Sequence, residues 1–220
     1  VIFQNRDDMN EFLERGLVKE KKCHLVNGSG VNMLRFKPVN YPDTITFFML
    51  SRILRSKGIR EYLEAAKNVK SKYPNVHFIL LGAVENMQDS LTMDDLKLYI
   101  DQGVIEYFGE TNDVSQYYAQ SSVYVLPSYR EGTPRTVLEA MAMARPIITT
   151  DAPGCRETVI DGENGFLVTV KNTKEIEEKM IWFIENPEKI SEMGKASLDL
   201  CKKKFDVNKV NQDMLKHMKI

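Results

Sequence analysis

A surplus of charge of either sign is what the 220-residue sequence most clearly lacks, with 30 Lys and Arg against 31 Asp and Glu and a formal net charge of -1. No overall basic field exists to hold nucleic acid or another polyanion, so any anion site must be local. Cysteine is scarce too: Cys23, Cys155 and Cys201 form no C-x-x-C pair, and an odd number suits reduced thiols better than a disulfide framework. His24, His77 and His217 are scattered and offer no metal-ligand spacing. No apolar run reaches the roughly 18 to 20 residues of a membrane span, and no signal-peptide pattern opens the chain. The sequence starts at Val1 without Met, already inside the apolar run "VIFQN", which is expected of a piece cut from a longer protein.

What is present is an ordinary globular composition, 43% apolar with 12 Gly, enough for one domain of good size and an appendage. Short apolar runs alternate with segments of helical period. "VIFQN" leads into "RDDMNEFLERGLV", with Asp7 and Asp8 in the first turn and Gly16 closing it. "CHLVNG" and the turn-rich "NGSGVNMLRFKPVNYPDT" follow, and Gly28, Gly30, Pro38 and Pro42 mark the latter as a linker. Beyond it the pattern predicts strands at 44–50, 76–82, 104–109, 122–127, 146–151 and 165–168. Helices are predicted at 57–72, 92–102, 112–121 and 134–144, with a short one near 155–160 and more over about 173–204. Strands with continuous apolar runs are buried on both faces, and strands separated by helices imply right-handed crossovers into a parallel sheet. The expected fold class is α/β, a doubly wound, Rossmann-like parallel sheet over residues 41–205. The last stretch, "DVNKVNQDMLKHMKI", puts Val207, Val210, Met214, Leu215 and Met218 on one helical face, a stripe that needs a partner surface.

In an open parallel sheet, ligands bind beyond the carboxyl ends of the strands, where helix N-termini and turns gather. Ser51 and Arg52, Gly82 and Ala83, Gly109 and Glu110, Ser128 to Thr133, and Asp151 to Gly154 follow successive predicted strands, so all fall on one rim. Arg52, Arg55 and Lys57 lie ahead of or within the first turn of a helix, where positive charge opposes the macrodipole at roughly 0.3–1 kcal/mol each. A bound diphosphate would reverse that sign; solvated surface cations are the plainer alternative. In "YREGTPRTVLEAM", Thr133 reads as the N-cap and Pro134 as the first helical residue, leaving the amides of Arg135 and Thr136 free for a phosphate or sugar oxygen. Glu131 lies on the loop and Glu139 about two turns into the helix, a separation of roughly 8–9 Å along the axis. The two carboxylates can grip a sugar and a ribose of one elongated ligand, or be an ordinary loop charge and helix-surface residue. "NGSGVN" supplies G-x-G, but Met33 stands where a third glycine belongs and no helix follows, so it reads as a turn and not as a dinucleotide fingerprint.

The linker "GSGVN", "SRILRSKGIREYLEAA", "FILLG", "YFGETNDV" and above all "SVYVLPSYREGTPRTVLEAMAMARPIITTDAPGCRETVIDGENGFLV" resemble the C-terminal half of a retaining glycosyltransferase of the GT-B fold, in the large group 1 family (family 4). The resemblance implies two facing doubly wound domains, with the nucleotide-sugar donor on the C-terminal one. It makes residues 1–40 the tail of the N-terminal acceptor domain and the interdomain linker, 41–205 the donor-binding domain, and 206–220 a helix crossing back. By position, Arg52 and Lys57 match the diphosphate clamp, Glu139 the ribose-binding glutamate, and Glu131 the glutamate beside the donor sugar. Gly132, Thr133, Arg135 and Thr136 would supply backbone contacts, and the backbone near Tyr107 and Phe108 with the turn after Gly82 would border the base. Three positions depart from the family: Pro134 and Ala144 stand where Gly is common, and "GCRE" replaces "GG..E", a variant similar to bacterial capsule, O-antigen and lipid-linked oligosaccharide enzymes.

The implied activity is that of a retaining hexosyltransferase moving a sugar from a nucleotide diphosphate sugar, with a lean to UDP-N-acetylhexosamine, onto an acceptor hydroxyl of a glycan or lipid-linked sugar. No cofactor and no metal are expected, nor any nucleic-acid partner. The full-length protein is expected in the cytoplasm, with peripheral association at the inner face of the membrane, and the isolated chain is expected to bind donor but transfer little. Rival readings are a nucleotide-sugar epimerase or a phosphorylase on the same architecture, although the pyridoxal phosphate lysine context of a phosphorylase is not found, and a non-catalytic nucleotide-sugar or protein-binding module.

Overall fold

The computed structural model describes residues 1–218. The chain opens with a small unit of β1 (Ile2–Phe3), α1 (Arg6–Glu14) and β2 (His24–Leu25), whose two strands pair in parallel. Asn5 caps α1 by accepting the Asp8 amide at 2.8 Å. A one-turn helix at Glu20–Lys22 precedes β2. The predicted linker then crosses without regular structure, yet Val31 and Phe36 are buried in the main core, so this stretch is a fixed strap.

The continuous apolar runs become a six-stranded parallel sheet: β3 (Thr46–Leu50), β4 (His77–Leu81), β5 (Glu106–Tyr107), β6 (Val123–Leu126), β7 (Ile147–Thr150) and β8 (Gly165–Val168), in the order β5-β4-β3-β6-β7-β8. β3, first of the six in chain order, lies in the middle, and the chain runs to one edge before crossing back to start the other half. That order creates a switch point between β3 and β6, where connections leave in opposite directions and open a crevice at the carboxyl edge.

The crossover segments are α2 (Ile59–Lys72), α3 (Met93–Asp101), α4 (Ser115–Ala119) and α5 (Arg135–Ala142), followed by α6 (Thr173–Glu185), α7 (Glu188–Lys204) and α8 (Val207–Met218). In α2 the apolar positions Ile59, Tyr62, Leu63, Ala65, Ala66 and Val69 recur at helical spacing and are all buried. Thr92 and Asp95 form a capping box that starts α3. Phe47 and Phe48 of β3 are fully buried, Phe47 stacking on Phe78 with ring centroids 5.4 Å apart; truncating either to Ala costs roughly 3–5 kcal/mol.

Four local expectations change. The helix expected near 155–160 is a single turn at Arg156–Thr158. α4 is shorter than predicted, and α2 begins at Ile59 behind a separate one-turn helix, Arg55–Lys57. α5 begins at Arg135, with Pro134 and not Thr133 at its cap, because Pro134 keeps ψ at 111° and the Thr133 hydroxyl turns away to the Gln4 carbonyl at 3.2 Å. Of the apolar stripe on α8, Val210 is buried, whereas Leu215 and Met218 are exposed; the last two residues of that predicted helix, Lys219 and Ile220, lie outside the described residues. No helix among the described residues is long and apolar enough to cross a membrane.

Candidate functional site

At the switch point a trough runs along the carboxyl edge of β3, β4 and β6. One end is a cavity of about 280 Å³, walled by Gly82, Ala83, Glu110, Thr111 and Val114. The other is a cavity of about 190 Å³, walled by Lys57, Glu131, Pro134 and Arg135. Leu50, Ser51, Arg52 and Thr136 border both, so the two form one elongated groove. Gly82 is required by geometry: it sits at φ +145°, and a Cβ there would lie 1.8 Å from the Ser51 carbonyl oxygen.

Residues far apart in sequence meet because the turn after β3 is stitched to the loop after β6. The Ser56 carbonyl accepts from the Tyr129 amide at 2.9 Å and from the Ser128 hydroxyl at 3.3 Å. This brings Lys57 against Glu131, Nζ donating to Oε1 at 2.6 Å, with only 19% and 15% of the two side chains exposed. Removing one partner of such a sheltered pair leaves the other charge uncompensated. Arg55, its neighbour on the same turn, faces away and donates to the Ser90 carbonyl at 2.8 Å. Arg52 is 53% exposed and loosely paired with Glu85 at 3.6 Å, so its guanidinium is free to swing over the groove.

The helix start contributes as well. The first backbone donor of α5 with a helical acceptor is Val137, bonded to the Pro134 carbonyl at 3.0 Å, so the Arg135 and Thr136 amides stand ahead of the ladder beside the groove. Glu139 is buried beneath them. One of its carboxylate oxygens lies 3.1 Å from the Tyr118 hydroxyl, and the other lies 3.3 Å from Arg135 Nε. Burial pushes its carboxyl above the usual range, against the lowering effect of the Tyr118 hydrogen bond and of Arg135 and Arg35.

Glu131, Lys57, Arg52, Gly82, Arg135 and Thr136 thus line one groove. Glu139 sits under its floor. Gly132 and Thr133 form the back of the Glu131 loop, turned toward Gln4. Tyr107 and Phe108 do not wall the groove: the Tyr107 hydroxyl donates to the Gly82 carbonyl at 2.7 Å, supporting the turn from beneath, and Phe108 packs its exposed ring on Tyr117. Gly109, Glu110 and Thr111, one step further along, take the lining position. Sequence reasoning missed Tyr118, Gln4 and Asn5. No local spacing marks the first two, while Asn5-x-x-Asp8 is a readable N-cap pattern.

Residues 32–199 match the sequence model of the glycosyl transferases group 1. The chain belongs to that family. A Campylobacter jejuni N,N'-diacetylbacillosaminyl-diphospho-undecaprenol alpha-1,3-N-acetylgalactosaminyltransferase is 27% identical over 98% of this chain and 58% of its own length. The Staphylococcus aureus capsular polysaccharide biosynthesis glycosyltransferase CapM is 31% identical over 78% of this chain and 48% of its own. The chain therefore spans about half the length of these curated relatives. Its fold recurs in Anabaena HepE, solved with UDP-glucose, at a TM-score of 0.86 and 21% identity, covering 100% of this chain and 63% of that one. It recurs also in a Rickettsia africae glycosyltransferase, at a TM-score of 0.88 and 21% identity, covering 100% of this chain and 62% of that one. For this member of the group 1 family, the six-stranded sheet is the Rossmann-like half of a GT-B fold.

Proposed function

We propose that this chain is the donor-binding part of a retaining hexosyltransferase that takes a sugar from a nucleotide diphosphate sugar, UDP-N-acetylhexosamine being the favoured donor, for bacterial surface polysaccharide synthesis. The observation that carries the reading is the single groove at the switch point, with Lys57 and Glu131 at one end and a glycine-walled cavity at the other. An elongated ligand with a diphosphate in its middle fits that order of groups. The base takes the end near Gly82 and Thr111, and Glu139 lies under the ribose. The diphosphate meets Arg52, Lys57 and the Arg135 and Thr136 amides, and Glu131 meets the sugar.

Cleavage of the bond from the anomeric carbon to the diphosphate sends its electron pair to a phosphate oxygen. Lys57, Arg52 and the helix-start amides offset that growing charge, so metal is not required for this step. The acceptor hydroxyl bonds to the anomeric carbon on the face the diphosphate leaves and passes its proton to the departing phosphate oxygen, which retains the configuration. The diphospho-undecaprenol-linked acceptor and the N-acetylgalactosaminyl group named for the Campylobacter relative support a lipid-linked acceptor and an N-acetylhexosamine donor here.

Calorimetric titration with UDP, GDP and ADP sugars tests the proposal. UDP sugars are expected to bind, and Lys57→Ala and Glu139→Ala to weaken binding at least tenfold. Binding that is absent for all three classes, or unchanged in both variants, would leave a module of another kind.

A further inference from the structure

The loop that carries Glu131 is held from outside the donor-binding sheet. Asn5, at the junction of β1 and α1, is 1% exposed. Its side-chain amide nitrogen donates to the Gly132 carbonyl at 2.9 Å and to Asp8 Oδ2 at 2.8 Å, with the Glu131 carbonyl at 3.4 Å. The Thr133 hydroxyl donates to the Gln4 carbonyl at 3.2 Å, and the Gln4 side chain occupies the space a Cβ on Gly132 would need, 2.7 Å from it. Gly154 also lies against the Glu131 and Gly132 carbonyls, so closely that a Cβ would come within 2.0 Å and 2.6 Å of them. The two carbonyls therefore lie close to both Asn5 and Gly154.

Between the opening unit and Thr133 is a cavity of about 500 Å³ bordered by Asn5, Leu25, Thr133, Arg156 and Phe205. Gln4 and Gly28 pack closely on Gly132 and Thr133 from that side, and the Asn5 amide adds directed hydrogen bonds. Other ties exist between the same elements, Arg130 to Asp8 and Glu11 and Arg156 to Asp7, but Arg130 is 53% and Arg156 36% exposed. Exposed pairs of this kind contribute little, whereas Asn5 is buried, and without its amide the Gly132 carbonyl keeps only the Thr133 hydroxyl at 3.0 Å, which the Gln4 carbonyl also engages.

We infer that Asn5 is a positioning residue for donor-sugar recognition: its amide fixes the Glu131–Gly132 backbone so that the Glu131 carboxylate faces the sugar end of the groove. The inference rests on the donor-binding reading above. It makes the opening unit of β1, α1 and β2 part of the sugar site, although no atom of Asn5 lines the groove. It also separates two ends of the ligand. None of the groups assigned to the nucleotide, Gly82, Thr111, Thr136 and Glu139, is a hydrogen-bond partner of Asn5.

The test compares UDP with UDP-N-acetylglucosamine, titrated into the 220-residue chain and into Asn5→Ser. Serine keeps an oxygen able to accept the Asp8 amide and so preserves the α1 cap, but it is too short to donate to the Gly132 carbonyl. The expected result is roughly tenfold weaker binding of the sugar nucleotide with UDP binding within about twofold of wild type. Wild-type-like UDP binding also certifies that the variant is folded. Asn5→Asp, which keeps the cap acceptor and points an acceptor at the two carbonyls, is expected to give a larger loss of the same kind. A parallel loss of both ligands, as a general structural defect would give, or no loss of either, would overturn the inference. If the wild-type chain binds neither probe, the donor reading itself fails and takes this inference with it.

Discussion

Replacing Tyr118 by Phe removes one oxygen from a fully buried ring and reports on the acidity of Glu139. The hydroxyl lies 2.8 Å from the Thr136 carbonyl and 3.1 Å from Glu139 Oε2, so its single proton is shared between a neutral and a charged acceptor. A hydrogen bond to a charged group is worth about 1.5–3 kcal/mol, and sharing reduces that to about 1–2 kcal/mol here. The ring itself is held by Phe48 and Phe36 at edge-to-face distances and will not move. Burial already holds the Glu139 carboxyl above its ordinary range, and the Tyr118 bond is the largest influence pulling it back down. Losing that bond should raise the carboxyl further. If the carboxylate form receives the ribose hydroxyls, UDP affinity falls as pH drops through the Glu139 titration, and the midpoint in Tyr118→Phe lies at higher pH than in wild type. Stability carries a matching sign: with the folded value raised above the unfolded one, the contribution of Glu139 is greatest at pH below the unfolded value and is lost as pH rises through the folded one. The variant should therefore lose more stability than wild type as pH rises from the ordinary carboxylate range through the raised Glu139 value. Calorimetric UDP titrations and thermal melts across that range measure both effects. A superimposable affinity profile, or a midpoint that moves down, would refute the assigned role of the hydroxyl.

Two further perturbations test the frame around the site. Arg145 is fully buried, donating to the Tyr118 carbonyl at 3.0 Å and to the Ala119 carbonyl at 3.3 Å at the end of α4, reaching the strap at Val39 and Asn40, and stacking 4.4 Å over the Tyr41 ring. Arg145→Met keeps the volume but orphans several carbonyls, so about 3 kcal/mol of stability and a fall in Tm of about 6–12 °C are expected in a thermal melt; a Tm within about 2 °C of wild type would contradict this. Ala144 holds φ at +59°, a conformation that costs an L-residue about 1–2 kcal/mol. After the extra chain entropy glycine loses on folding, Ala144→Gly should gain about 0.5–1 kcal/mol and raise Tm by about 2 °C, and a lower Tm would contradict this.

Much of the site was legible because its signals are local. A continuous apolar run such as "TFFML" can only be buried, and its spacing from "HFILL" by a helix of period 3.6 leaves a parallel crossover as the economical arrangement. That argument alone placed Arg52, Gly82 and Glu131 on one rim. It failed where a tertiary contact competes with a local preference. Thr133 is a good cap by composition, yet Gln4 takes its hydroxyl and α5 starts one residue later. The resemblance puts the backbone near Tyr107 and Phe108 at the base; the residues that line that end are the adjacent Gly109, Glu110 and Thr111, while the Tyr107 hydroxyl donates to the Gly82 carbonyl.

The sequence by itself determined the α/β class, the rim on which chemistry collects, and the Glu131 to Glu139 spacing, because hydrophobic periodicity and helix geometry act over a few residues. Only the tertiary structure decided that Lys57 closes on Glu131 at 2.6 Å across 74 positions, that Tyr118 meets Glu139, and that Asn5 reaches 127 positions to hold Gly132. Those pairings depend on the order in which strands add to the sheet and on which carbonyls remain unsatisfied once it is built. Neither is written in the spacing of residues along the chain.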